Sequence, residues 1–143
     1  MPMSRESKVD RIHKTTLFQR ANRKTLEELA QVLDEVEVSP GCELITQGRH
    51  HHESYIVETG ILIVLVDGDE VAEIRAGEIV GEIGLLDPGP ATATVQCKTP
   101  ATLLALPHNR AQDALDAIPD VYRHIASELA HRLRSMDANH HRN

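Results

Sequence analysis

Gly81, Glu82, Ile83, Gly84, Leu85 and Leu86 form a short run whose residue types suit an anion. Wound into one helical turn, such a run leaves its first amides without partners inside the turn, and unpaired N–H groups attract negative charge. The glycines let a ligand approach the backbone closely, and the Glu82 carboxylate can accept from a sugar hydroxyl. Pro88-Gly89-Pro90 then breaks the chain, and Thr92-Ala93-Thr94-Val95 restarts as a strand carrying two hydroxyls. A phosphate joined to a sugar is the ligand this pattern fits.

A second group of reactive side chains is His50-His51-His52-Glu53. His50 and His52 would share one face of a strand, as metal-binding His-x-His pairs do in β-barrel enzymes of the cupin type. Such enzymes also need a carboxylate a few residues on and a later His. Glu58 is imperfectly spaced, and no His occurs between Glu53 and Pro107. The cluster therefore reads as a solvated loop beside Gly48, with no metal site expected. Thr92, Thr94 and Ser127 have no His or Asp at an informative spacing, so no catalytic residue and no enzyme activity are expected.

The elements that must hold these residues change character along the chain. Residues 1–11 lack an apolar period and read as a flexible arm. Thr25-Leu26-Glu27-Glu28 fits a capping box opening a helix with Leu26, Leu29, Ala30, Val32, Leu33 and Val36 on its apolar face; Pro40-Gly41 ends it. All eight glycines fall between Gly41 and Gly89, at a spacing that punctuates short strands. The strand candidates are residues 42–46, 55–58, 61–66, 71–74, 92–97 and 102–106, with Asp67-Gly68 as a hairpin turn. Many short strands separated this way point to an antiparallel jelly-roll or sandwich. After Pro107 the period is helical again. Asn109 caps one helix, and Pro119 opens a second, on which Val121, Ile125, Leu129 and Leu133 form a stripe.

Composition narrows the class. The 143 residues suit one domain, here 12–136, followed by a tail over 137–143. With aromatic residues at 2%, the core has to come from Leu, Ile, Val and Ala. A formal charge of −7 argues against a general nucleic-acid binder. No apolar run approaches the ~18 residues that a membrane helix requires. The polar start does not read as a secretory signal, so a cytoplasmic location is expected. Cys42 and Cys97 are expected to be reduced thiols.

The run from Gly81 to Val95 resembles the phosphate-binding cassette of the cyclic nucleotide-binding domain family. That family includes the catabolite activator protein and the regulatory subunit of protein kinase A. Gly81, Glu82, Gly84, Leu85, Leu86, Thr92, Ala93 and Val95 fall on its pattern, and Pro40-Gly41, Gly48, Tyr55 and Gly60 sit where its β-roll turns. The resemblance covers roughly residues 15–135. It implies a mainly β fold, an antiparallel β-roll with an N-terminal helix and two C-terminal helices. It also implies a regulatory domain binding cAMP or cGMP through Gly81, Glu82, Ile83, Gly84, Leu85, Ala91, Thr92 and Ala93. Glu82 would take the ribose and Thr92 the phosphate, and no other cofactor is implied. The last helix would close over the nucleotide and offer a surface for a protein partner or a homodimer. No DNA-reading module follows it in this sequence, so a free-standing sensor is expected.

Two positions depart from the family pattern. Val80 replaces a Phe, which is a packing change. Ala91 stands where the family places the Arg that grips the cyclic phosphate. A charge-assisted bond of that kind contributes about 1.5–3 kcal/mol, so its loss implies weak or atypical binding. The alternative is a degenerate, ligand-independent interaction module on the same fold. Lys98 and Arg75 are the nearby cations in sequence.

Overall fold

In the computed structural model the described residues are 5–15, 18–81 and 89–110, with isolated helical positions at Asp116, Arg123, Ala126, Ser127, Ala130, His131 and Arg134. Among the described residues the order is α1 (Arg5–His13) and α2 (Arg23–Val32), then eight strands. These are β1 (Asp34–Val38), β2 (Glu43–Ile45), β3 (Glu53–Thr59), β4 (Leu62–Val66), β5 (Asp69–Ile74), β6 (Ile79–Val80), β7 (Thr94–Cys97) and β8 (Ala101–Pro107). They form two four-stranded sheets, ordered β1-β8-β3-β6 and β2-β7-β4-β5. Every pairing is antiparallel. The mainly β roll anticipated from the sequence is the observed fold.

The strands with two buried faces carry the packing. Along β8, Leu103 faces the apolar layer between the sheets, while Leu104 and Leu106 face the helices. In the same way Ile56 and Ile79 pack under the helices, and Val57 and Val80 point the other way. An uninterrupted apolar run such as Leu103-Leu104-Ala105-Leu106 is what burial on both faces requires. The inter-sheet layer adds Ile45, Leu62, Val64, Val71, Ile74 and Val95. Asp67 at φ 53° and Gly68 at φ 86° make the tight turn joining β4 to β5, where the Asp-Gly signal lies.

Four local expectations are corrected. The arm over residues 1–11 is helical from Arg5, and α1 buries Val9 and Ile12, three apart on one face, against Phe18, Leu29 and Leu106. Arg11 fastens this helix to the sheet through Glu58, with a further bond to Glu35 at 3.0 Å. Second, the cap of α2 is Asn22, whose side chain accepts from the Thr25 amide at 2.9 Å; Thr25 itself lies buried in the first turn. Third, α2 ends at Val32, because Leu33 is already extended and Val36 belongs to β1. Val36 continues the helical series at Val32 plus four, but its alternation with Val38 suits a strand, and pairing with β8 decides for the strand. Fourth, His108–Arg110 are helical, so the turn after β8 starts ahead of Asn109. Its amide at His108 is satisfied by the His52 carbonyl at 2.9 Å, a partner from another element in place of a side-chain cap.

The other strand expectations hold to within a few residues, and two strands were not anticipated. β1 was assigned to the helix, and β6 has only two residues, too few to show a period. The long stripe from Val121 to Leu133 lies almost entirely outside the described residues, as do the tail over 137–143 and the start of the chain before Arg5.

Candidate functional site

Two chain segments frame the candidate anion site, the first fastened to β3 and the second to the loop that precedes β3. Gly81 ends the β6 side; Gly89, Pro90, Ala91 and Thr92 form the approach to β7. Glu82, Ile83, Gly84, Leu85 and Leu86, on which the sequence reading relied, lie outside the described residues. The loop that meets both segments runs from Thr46 to His52, between β2 and β3.

At the first segment, Gly81 has φ +80°, a left-handed conformation that glycine adopts at little cost. A Cβ added there would lie 3.0 Å from Ile45 Cδ1 and 3.1 Å from the Glu53 carbonyl oxygen. Position 81 is therefore glycine for both conformation and space. The Gly81 carbonyl accepts from the hydroxyl of Ser54 at 2.9 Å. Ser54 is fully buried on β3, on the face that continues Ile56, and stands opposite Leu106. Its oxygen also lies 2.7 Å from His108 Nε2. The single hydroxyl proton is committed to Gly81, so His108 must be the donor in the second bond, with the proton on Nε2. A serine that already donates and has no exposure is not poised as a nucleophile.

His108 is closed in by the β2–β3 loop. Its ring meets that of His51 edge to face, with centroids 5.7 Å apart. His51 Nδ1 is bonded to the Glu53 carbonyl at 3.1 Å. Burial, reinforced by the charges of His51 and His52, pushes the His108 imidazole down to about 4. The ring is therefore neutral at physiological pH. These contacts tie the first turn after β8 to the residue at which β6 ends.

At the second segment the backbone interlocks with the loop. The Gly48 amide donates to the Ala91 carbonyl at 2.8 Å, and the Ala91 amide donates to the Arg49 carbonyl at 2.8 Å. His50 pairs with Pro90 as a β-bridge. One step further, the Gln47 amide donates to Thr94 Oγ1 at 3.0 Å. Ala91 is buried at 8% exposure within the inter-sheet core, Ala93 is half-buried against it, and Thr92 is exposed. Of the sequence-derived site residues, the structure thus places Gly81, Ala91, Thr92 and Ala93 around one loop.

The two cations near Ala91 in sequence are engaged elsewhere. Lys98 and Arg75 both bind Glu73, at 2.9 Å and 2.8 Å. Those contacts hold the Glu73 carboxyl below its ordinary range, through the bonds from Lys98 and then Arg75. Among the described residues, no group of three or more His, Cys, Asp or Glu is arranged to hold a metal ion. His50 and His52 are exposed, and His51 spends its ring on Glu53 and His108. Cys42 and Cys97 are both free.

With this frame in place, comparison with known proteins identifies the family. The profile of the cyclic nucleotide-binding domain matches residues 35–117. The chain belongs to the cyclic nucleotide-binding domain family. Among curated proteins it is similar to the Pycsar effector protein XpPycTIR of Xanthomonas perforans, with 34% identity over 79% of this chain and 38% of that protein. The chain thus spans well under half of that relative. Among solved structures it resembles the regulatory subunit of a cAMP-independent protein kinase A from Trypanosoma brucei. There the identity is 25% and the TM-score 0.77, over 86% of this chain and 47% of that one. A triple mutant of the same subunit, with one threonine replaced by arginine, is bound to cAMP in its A site; it matches at 25% identity and TM-score 0.68, over 87% of this chain and 51% of that one.

Family membership accounts for the β-roll. Sequence reasoning misses three residues that the geometry brings forward, Arg49, Ser54 and His108, and reads Gly48 only as a turn. Ser54 left a trace, being a polar residue that alternates with Ile56 on one face of β3. Arg49 and His108 left none, because what matters about them is a partner far away in sequence. Among the described residues no helix is long and apolar enough to cross a membrane.

Proposed function

We propose that this domain binds a 3′,5′-cyclic nucleotide, weakly or atypically compared with relatives that carry the cassette Arg, and serves as a regulatory element. The observation that carries the reading is the double anchoring of the cassette. Gly81 at one end is held by Ser54 of β3, and Ala91 at the other by Gly48 and Arg49 of the β2–β3 loop, although the residue at 91 carries no charge. A site that had decayed into a mere connection would not need a glycine held at positive φ against Ile45 and Glu53. The Thr92 hydroxyl is exposed and free to meet a phosphate, and Glu82 is the expected partner of a ribose. The Trypanosoma brucei relatives support the same weighting. The subunit described as cAMP-independent keeps the fold, and the mutant found with cAMP is one that gained an arginine.

Replacing a charged donor by Ala lowers affinity by about ten- to a hundredfold, which still leaves measurable binding. Calorimetric titration of cyclic nucleotides of all four bases into the wild type and Ala91→Arg tests this. Binding by the wild type, tightened by Ala91→Arg, is the expected result. Binding by Ala91→Arg alone would establish a degenerate pocket on a ligand-independent interaction module. Silence from both would end the ligand reading altogether.

A further inference from the structure

We infer that Arg49 supplies the cation missing at position 91, holding the ligand phosphate from the facing side of the strand pair. This rests on the ligand class argued above and adds the residue that makes such binding workable. The local geometry is a β-bulge. Gly48 (φ +84°) donates its amide to the Ala91 carbonyl, Arg49 accepts from the Ala91 amide, and both bonds are 2.8 Å. Two residues, a left-handed glycine and the one after it, therefore oppose a single residue on the partner segment. A bulge of this type re-aims the side chain that follows the glycine, and such bulges are frequent beside functional sites.

Residues directly opposite each other across antiparallel strands have Cβ atoms about 4.5–5.5 Å apart. An arginine stem exceeds that gap, so a guanidinium attached at 49 can work in the space that one attached at 91 would use. Arg49 is exposed and makes no ion pair among the described residues. Arg11, Arg75 and Lys98, by contrast, are paired with Glu58, Glu35 and Glu73.

The local charge points the same way. In a chain of formal charge −7, neither Thr46–His52 nor Gly89–Thr94 contains a carboxylate. Within these two described segments the Arg49 charge therefore has no carboxylate beside it, an arrangement suited to an incoming anion. Arginine also presents a planar fork of donors that matches phosphate oxygens two at a time.

The test compares Arg49→Ala, Arg49→Lys and wild type for the cyclic nucleotide that the wild type binds best, with its parent nucleoside as an uncharged control. Arg49→Ala should weaken the cyclic nucleotide ten- to a hundredfold, should leave the nucleoside unaffected, and should melt with the wild type. Arg49→Lys should recover part of the loss. Equal affinity of wild type and Arg49→Ala would overturn the role of Arg49 and leave the ligand reading intact. Equal loss of nucleoside and cyclic nucleotide would also overturn it, by showing a structural effect. Absence of cyclic nucleotide binding by the wild type would remove both readings together.

Discussion

The low proton affinity of His108 makes a stability difference that can be measured against pH. In the unfolded chain this ring has an ordinary value of 6.5, and in the folded protein it lies at about 4. The charged form is therefore disfavoured by folding, and the unfolded state binds more protons between those two values. The destabilisation is absent above about pH 6.5, grows as pH falls, and levels off below about pH 4. For a ring sealed from solvent the full interval corresponds to about 3 kcal/mol. His108 is only half-buried, and screening by water reduces this to about 1–2 kcal/mol, of which about 1 kcal/mol has developed by pH 5. His108→Gln keeps an amide nitrogen near the position of Nε2, so the bond to Ser54 survives and the titration is removed. Urea unfolding of wild type and His108→Gln at pH 7.5 and pH 5 provides the comparison, with the other histidines cancelling in the difference. The wild type should lose about 1 kcal/mol more than the variant over that interval. Parallel losses, or a titration midpoint for the His108 ring near 6.5 by NMR, would refute the reasoning.

Three further perturbations read other parts of the frame. Arg11→Ala strands Glu58, whose side chain is 9% exposed and whose carboxyl is already raised by burial against the opposing pull of Arg11. The expected loss is about 2–3 kcal/mol in denaturant unfolding, against a smaller one for Glu58→Gln, which leaves a half-exposed guanidinium still bonded to Glu35. Gly81→Ala forces a side chain onto positive φ and against Ile45 and Glu53, and should destabilise by about 1–3 kcal/mol. A melting curve matching the wild type would show that the strand end moves freely. Leu104→Ala opens a cavity between β8 and the helices, where Leu104 has no exposure, and should lower stability by about 2–5 kcal/mol. A loss below about 1 kcal/mol would mean the helices collapse onto the sheet.

What could be read from the sequence follows from which signals are local. The Asp67-Gly68 turn, the apolar strands and the glycine spacing are set by neighbouring residues, and the roll emerges from them. β1 is not legible from sequence, because Val36 also falls at Val32 plus four on the preceding helix, and two valines alternating over five residues are too short a period to decide until β8 lies beside them. The N-terminal arm was misread for a related reason. A helix that buries only Val9 and Ile12 shows too little period, and its docking depends on Arg11 finding Glu58 across the fold. The cassette resemblance rests on residues adjacent in sequence, most of the Gly81–Leu86 run lying outside the described ones. The anchoring of Gly81 has no such local signal, since it consists of a pair distant in sequence, Ser54 with Gly81.

The same distinction bears on how a missing charge should be interpreted. Judged along the chain, Ala91 is a loss, and the nearest cations in sequence, Arg75 and Lys98, are committed to Glu73 on β5. Judged in space, the residue facing Ala91 is Arg49, brought there by a bulge that a left-handed Gly48 permits. A phosphate responds to where a guanidinium is held, and the strand to which that group is attached makes no difference to the attraction. Loss of a motif residue therefore argues for loss of binding only after the facing strand has been examined. In this protein the facing segment carries Arg49, which makes no ion pair among the described residues, opposite the gap.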